Sequence, residues 1–257
     1  MEICVCVKRV PMVGGTIVVT PDGQDVDTSM TGFTVSPHEE CGVEEAVQTV
    51  ERLGGSVTVL TLGPAQAADQ LRDMLALGAN KAILLQTDGA EWGPVATAGA
   101  IAGWLAERGF DLMLFGNEAA DTGGYQVPVR VAHALGVPCV TGIKRLDVMS
   151  GSGEGHGSIA AGREYAGVEE TFEVPLPAVV SVKEGINLPR YPSLPGRLRA
   201  KRAPIETIEL AAPAAEGLVK RRLTVPAASA SRAEVLGSGA AAVPALVRLL
   251  DELGVLR

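Results

Sequence analysis

"SVTVLTLGPAQAADQLRDMLALGANKAILLQT", Ser56–Thr87, is the stretch whose reading decides the fold. A continuous apolar run, "SVTVLTLG", stops at a glycine and a proline. An amphipathic stretch on a helical period follows, and a second short apolar run, "KAILLQT", closes it. Runs of this length, rich in Val, Leu and Ile, are strands, and the piece between them is a helix. Upstream stand a strand, "EICVCVKRV", an excursion "TIVVTPDGQDVDT" whose Pro-Asp-Gly is turn chemistry, and a helix, "SPHEECGVEEAVQTVERLG". Downstream come helix "GPVATAGAIAGWLAERG", strand "DLMLFG" and helix "YQVPVRVAHALG". Strands alternating with helices across short loops mark a parallel sheet wound on both sides.

The first helix carries its own start and stop. Ser36 is placed as N-cap, Pro37 at the first helical position and Glu39 three residues on, which together predict a capping box. Val43, Ala46, Val47, Val50 and Leu53 share a face, Glu44 and Glu45 read as solvated helix charges, and Gly54 with Gly55 ends the helix. After Val137 the pattern changes. "CVTGIKRLDVM", "SIAAGREYAGVEETFEV" and "PAVVSV" are expected as antiparallel pieces, with the Gly/Ser-rich "SGSGEGHGS" as a mobile hairpin tip. Past Leu210, "AAPAAEG" and "PAASASRAEVLGSG" are linker-like and "AAVPALVRLLDELG" is a short terminal helix.

Bulk properties bound the function. The chain has 257 residues, long enough for one large domain or a domain with an appendage; 47% are hydrophobic and only 4% aromatic, so the core is built from Ala, Val and Leu. A net charge of −8 argues against nucleic acid as a partner of the whole chain. Cys4, Cys6, Cys41 and Cys139 form no CxxC pair and have no histidine at zinc-ligand spacing, so they are expected as buried thiols of a reducing compartment, with no metal. The strand pattern beginning at Met1 leaves no room for a secretory n-region and h-region, and no apolar run approaches the roughly 18 residues of a membrane helix; a cytoplasmic chain is expected.

In an open α/β sheet the ligand crevice lies beyond the carboxyl ends of the strands, where strand order reverses. Three stretches fall there: Cys6–Arg9, Leu60–Pro64 and the Gly-rich "FGNEAADTGGYQVP", Phe115–Pro128. The last leads into a helix whose free N–H groups favour a phosphate, although it is neither G-x-G-x-x-G nor a Walker loop, and a plain turn is the alternative. Catalytic groups are sparse. His133 is read as a surface or packing residue and His156 falls in the flexible tip, while His38, in the first turn of the first helix, is placed to see a ligand. The crevice offers backbone donors without a lysine for a triphosphate, so a non-catalytic nucleotide-binding module fits best.

The stretch "SVKEGINLPRYPSLPGRLRAKR", Ser181–Arg202, poses a separate question. Pro189, Pro192 and Pro195 recur with the three-residue period of polyproline II, so Leu188, Tyr191 and Leu194 are expected to form one apolar ridge on an extended segment. Either the segment is a stiff connector lying on its own domain, or the ridge meets a partner.

Taken together, "VCVKRV", "SPHEECGVEEAV", "TLGPAQA", "LALGANKA", "FGNEAADTGGYQ", "GVEETFEVPLPAVVSV" and "LPRYPSLPGRLRAKR", in this order and spacing, resemble the β subunit of the electron transfer flavoprotein family over about Met1–Leu210. The resemblance implies a doubly wound, mostly parallel sheet of the adenine-nucleotide-binding type with an antiparallel extension and a C-terminal arm. Residues 1–210 would form the nucleotide-binding domain with a docking loop at 188–202, and residues 211–257 a linker and helical arm that packs on a larger α subunit. It implies FAD held mainly by α and a structural AMP in β. The AMP site would be Cys6, Ser36, Pro37, His38, Glu39, Leu62, Gly116, Asn117, Glu118, Ala119, Ala120, Asp121, Thr122, Gly123, Gly124, Tyr125, Gln126 and Val127. His38 and Glu170 would lie near the flavin. Arg190, Tyr191, Leu194, Pro195, Arg197, Arg199 and Arg202 would dock flavin dehydrogenases such as acyl-CoA dehydrogenases, with Leu194 as anchor, and electrons would pass on to a membrane quinone oxidoreductase. The β chain itself would perform no bond chemistry.

The chain departs from the family's usual pattern in three places, one of them the acidic-glycine run before Glu170, which here reads Ala166, Gly167 and Val168. It also has Asp121, Thr122, Gly123 and Gly124 where the family often has an Asp-Gly-Asp-Thr-like run, and Ser36-Pro37-His38 where Asn-Pro-aromatic is usual. Two alternatives stay open: a bifurcating flavoprotein whose β site holds a second FAD, and, in another class, an adenine-nucleotide hydrolase or ATP-using ligase, although "VKRVPMVGG" supplies no Ser-Gly-Gly-type phosphate loop.

Overall fold

The computed structural model describes residues 1–12, 14, 17–149, 151, 157–213, 220–226 and 234–256. In chain order, strand β1 (Glu2–Cys6) is followed by a small hairpin, β2 (Arg9–Pro11) with β3 (Phe33–Val35), and by helix α1 (Pro37–Leu53). Then come β4 (Ser56–Gly63), α2 (Ala68–Leu77), β5 (Lys81–Gln86), α3 (Pro94–Ala106), β6 (Leu112–Gly116), α4 (Val127–Leu135) and β7 (Cys139–Ile143). Three antiparallel strands follow, β8 (Arg145–Met149), β9 (Ser158–Tyr165) and β10 (Val168–Pro175). The chain continues through β11 (Ala178–Val182), α5 (Leu194–Arg202) and β12 (Glu206–Glu209), and α6 (Val243–Glu252) lies near its end.

The main sheet has seven strands in the order β12-β5-β4-β1-β6-β11-β7, and every neighbouring pair is parallel. Its strands are apolar on both faces because both are covered. Successive side chains point to opposite faces, and the two cores follow that alternation. Ile3, Val5, Val57, Val59, Leu112, Leu114 and Val180 pack with α1 and α2. Cys4, Cys6, Leu60, Met113, Phe115 and Val179 pack with α3 and α4. The antiparallel β8–β9–β10 sheet adds Leu146, Val148, Ile159 and Ala161 to the first core.

Several sequence expectations are corrected. "CVTGI" and "PAVVSV" are not antiparallel pieces: β7 and β11 join the parallel sheet, β11 between β6 and β7. All five β11 residues are buried, the pattern of a strand covered on both faces. Of the strands after Val137, β8, β9 and β10 pair antiparallel. "SIAAGREYAGVEETFEV" breaks into two strands at Ala166 and Gly167, both at positive φ (50° and 79°), the backbone a tight hairpin turn requires. The "SGSGEGHGS" tip, with His156, and most of the two linker stretches lie outside the described residues.

The polyproline reading of Pro195 fails, because the segment turns helical at Leu194. Ser193 is the N-cap, its Oγ accepting from Gly196 N at 3.1 Å, and Pro195 sits in the first helical turn, where its missing N–H costs nothing. A capping side chain and a run of good helix formers outweigh a proline spacing that is satisfied only as far as Pro192.

The chain divides into two compact units, Met1–Thr16 with Asp27–Arg221, and Ile17–Val26 with Arg222–Arg257. In the second, Val19 and Val26 bridge across the Pro-Asp-Gly turn, and Leu223 N donates to Gly23 O at 2.7 Å. Helix α6 buries none of its residues and leaves Leu246, Val247 and Leu249 exposed, as is Leu253 just past its end. Among the described residues no helix is long and apolar enough to cross a membrane.

Candidate functional site

Strand order reverses about β1: the chain runs outward through β4 and β5, and α3 carries it back to β6 on the other side. The carboxyl ends of β1 and β6 therefore open a crevice of the kind in which α/β sheets bind ligands. The first turn of α1 closes one side of it. Gly116 ends β6, and a Cβ there would stand 2.5 Å from Glu39 Cγ and 3.3 Å from Glu39 N and His38 Cβ. Only glycine lets the helix start approach the strand end so closely.

Side chains then join the three segments. Ser36 Oγ accepts from Ala120 N at 3.1 Å, tying the start of α1 to the turn after β6. Glu39 Oε2 accepts from Lys8 N at 2.9 Å, tying it to the exit of β1. Lys8 Nζ reaches Asp121 Oδ2 at 2.7 Å and donates to Thr122 Oγ1 at 3.3 Å. The expected capping box is thus only half made. The Glu39 carboxyl interacts with the Ser36 amide, but the serine hydroxyl makes no cap bond to its own helix. A polar group can satisfy one partner well, and here the tertiary partner prevails.

The rest of the Gly-rich turn is built from backbone and short contacts. Asn117 N donates to Val182 O at 2.9 Å, and Ser181 Oγ donates to Asn117 Oδ1 at 2.9 Å. Gly123 N donates to Ala119 O, and Gly123 and Tyr125 take positive φ, so the chain re-enters helix at Gln126 and Val127 with sharp reversals. Glu118 holds the Tyr125 hydroxyl, which pushes that phenol up from its ordinary value. The Gln126 side-chain oxygen accepts from Arg130 at 2.9 Å. Gly124 borders open space, with nothing within 4 Å of where a Cβ would stand. Leu62 lies near the end of β4.

Burial and pairing limit the charge that the crevice's acidic groups Glu39 and Asp121 contribute. Burial pushes the Glu39 carboxyl up to about 8, although the Lys8 and Ser36 amides and the Lys8 charge pull the other way and Asp121 adds to the rise. Glu39 therefore keeps its proton near neutral pH and adds no charge to the crevice, and Asp121 is neutralised by Lys8. The Cys6 thiol is pushed well up by burial and by Cys4, so no thiolate nucleophile stands at the strand end. His38 is half-buried, and its Nδ1 is buried with no hydrogen-bond partner. Lys8 corrects the expectation of a crevice without lysine. The signal was available, since Lys8 lies two residues past β1, within the Cys6–Arg9 stretch expected at the crevice.

The other expected residues are not gathered here. Glu170 is on β10, where Arg163 Nη2 and Nε grip its Oε2 at 2.7 and 3.0 Å and the guanidinium stacks over Phe172. His133 is exposed on α4. The docking candidates form a second region. Tyr191 and Leu194 are 95% and 72% exposed, with Leu188 beside them at 89%. Arg197, Arg199 and Arg202 lie on α5, which is held down by Gly196 against Ala76 and by Arg72 Nη1, which donates to the carbonyls of Ala200, Lys201 and Ala203. A groove of about 660 Å³ runs between this loop and the C-terminal ends of α1 and α2.

Arg190 faces inward, bonded to Glu44 and Glu51. This corrects Glu44, which is no solvated helix charge but is 2% exposed. The i, i+7 spacing of Glu44 and Glu51, one stripe of α1, was its sequence signal.

The electron transfer flavoprotein domain model matches residues 26–213. The chain is 35% identical to the electron transfer flavoprotein subunit beta of Mycobacterium bovis over 92% of this chain and 91% of that one. It is 36% identical to the subunit of the same name from Bacillus subtilis over 69% and 68%, and 33% identical to that of Bradyrhizobium diazoefficiens over 80% of each. With the parallel sheet, its antiparallel extension and these matches over most of the chain, this protein belongs to the electron transfer flavoprotein β-subunit family.

Proposed function

We propose that this chain pairs with an α subunit, holds AMP structurally in the β1–β6 crevice, helps shape the FAD site of α and docks flavin dehydrogenases through Leu194. The observation that supports the nucleotide is the crevice itself: a strand-end switch point closed by a helix start, with a lysine, a hydroxyl and Gly-rich backbone on one side. The Gly116–Val127 turn and the Cys6 backbone would take the nucleotide, with Lys8 and Thr122 on the phosphate side. Ser36 and Glu39 would fix the crevice walls, and His38 and Glu170 would face the flavin. FAD, when bound, supplies the electron-carrying ring, and this chain's part is to position and to dock. Helix α6, with its exposed leucines, is too short to persist alone in water and packs on the partner. Electrons arrive from dehydrogenases such as acyl-CoA dehydrogenases and leave for a membrane quinone oxidoreductase.

Acid release from the co-purified αβ complex tests the nucleotide. Equal AMP and FAD is the expected result. Two FAD and no AMP would point to a bifurcating flavoprotein, and magnesium-dependent ATP cleavage by the chain would overturn the reading.

A further inference from the structure

We propose that Glu44 and Arg190 form the mount that positions the exposed loop Leu188–Leu194 for docking, a role that rests on the docking reading above. The loop's large side chains point to solvent, so packing of Leu188, Tyr191 and Leu194 cannot fix its backbone. Polar contacts to α1 do. Asn187 Nδ2 donates to Cys41 O at 3.0 Å and to Glu45 Oε2 at 2.9 Å. Arg190 N donates to Glu44 Oε2 at 3.1 Å, its Nε to the same oxygen at 2.9 Å and its Nη2 to Oε1 at 3.0 Å. Glu51 takes Nη1 at 2.7 Å, and Gln48 Nε2 holds Glu44 Oε1 at 2.7 Å from the helix side. Cys41, Glu44, Glu45, Gln48 and Glu51 make one stripe of α1, a rail along which the loop is fastened.

The placement of Arg190 is what makes this a mount. It lies between Pro189 and Pro192, which have no N–H and fixed φ. One residue gripped at both backbone and side chain, with stiff neighbours, fixes the direction of the whole stretch. Burying a carboxylate to do so is costly, and such a pair is weak evidence for stability. Its product is geometry. A loop held in its docking shape loses less entropy when a partner arrives. Arg190 therefore acts as a positioning residue, turned away from the partner, while Leu194 is the contact.

The test is a double-mutant cycle in the αβ complex, with a purified acyl-CoA dehydrogenase and its acyl-CoA as electron source. Glu44→Gln is expected to raise KM for the flavoprotein roughly five- to tenfold at unchanged kcat, and to add nothing further to Leu194→Ala, because a loosened mount costs nothing once its anchor is gone. Hydrogen exchange of residues 186–194 should quicken in Glu44→Gln. Arg190→Lys, which leaves Glu44 a charge partner but breaks the fork, should reproduce the change and serves if Glu44→Gln does not assemble. Unchanged KM, additive effects with Leu194→Ala, or unaltered exchange would each overturn the mount. If Leu194→Ala alone leaves KM unchanged, it is the docking reading that fails, and the mount's role falls with it.

Discussion

The crevice and the loop are built on opposite plans, although helix α1 serves both. At its first turn, α1 meets the ends of β1 and β6 and polar groups are turned inward. Ser36, Glu39 and Lys8 each hold another segment, and the one buried carboxyl keeps its proton. Along its later turns, α1 buries one carboxylate, Glu44, against the partly exposed Arg190 of a loop whose leucines face solvent. The crevice is closed by tertiary hydrogen bonds within the chain itself. The loop leaves its large apolar groups exposed and uses its polar ones to hold its backbone to α1. The contrast makes substitutions in the two regions separable.

The largest expected effect is at Gly116. A Cβ there meets the backbone as well as the side chain of Glu39, so Gly116→Val should push α1 off the strand end and cost about 2–3 kcal/mol. Calorimetry of the complex should show a fall of several degrees in Tm together with lost nucleotide, and an unchanged Tm would break the contrast at its firmest point.

Glu39 gives the next effect. Its folded pKa is raised above the unfolded value, so its contribution is fully present below the ordinary carboxyl range and is lost as pH rises through about 8. Stability of the wild type should decline across that window by on the order of a few kcal/mol, and Glu39→Gln should flatten the decline. Denaturant titrations at several pH values decide it, and parallel curves for the two proteins would mean that the crevice is wetter than the geometry implies.

Gly124→Trp sharpens the comparison within the crevice itself. Because the position borders open space, folding stability should change by no more than about 0.5 kcal/mol. Nucleotide occupancy should nevertheless fall, because the ring blocks the approach. Full occupancy would make this part of the turn a plain turn.

The alternation of helices and strands from α1 through α4 was legible because each element carries its own period and its own stops, as Gly54–Gly55 and Gly78 do, whereas the β2–β3 hairpin was not, since "EICVCVKRV" reads as one continuous strand. The crevice was legible because parallel topology dictates where strand ends collect. The parallel partners of β7 and β11 were not, since an apolar run shows that a strand is buried but not which neighbour it pairs with. Strand β12, "ETIE", is an edge strand with charged side chains and carries no apolar signal. The proline spacing at 189, 192 and 195 hid the start of α5, although Ser193 and Pro195 are ordinary helix-start residues. Glu44 misled because the partner that buries it lies 146 residues away, and the spacing with Glu51 marks a shared stripe of α1 without naming what covers it.

The central claim, that the exposed loop is a docking element independent of the crevice, is tested most directly by Leu194→Ala in the αβ complex. Side-chain truncation of a buried interface anchor typically costs about 2 kcal/mol or more of binding, whereas an exposed residue changes folding stability by about 0.5 kcal/mol or less. KM for the flavoprotein in electron transfer from an acyl-CoA dehydrogenase should rise at least tenfold, with Tm and nucleotide content held at wild-type values. A lowered Tm with normal electron transfer would make the loop packed structure and contradict the account.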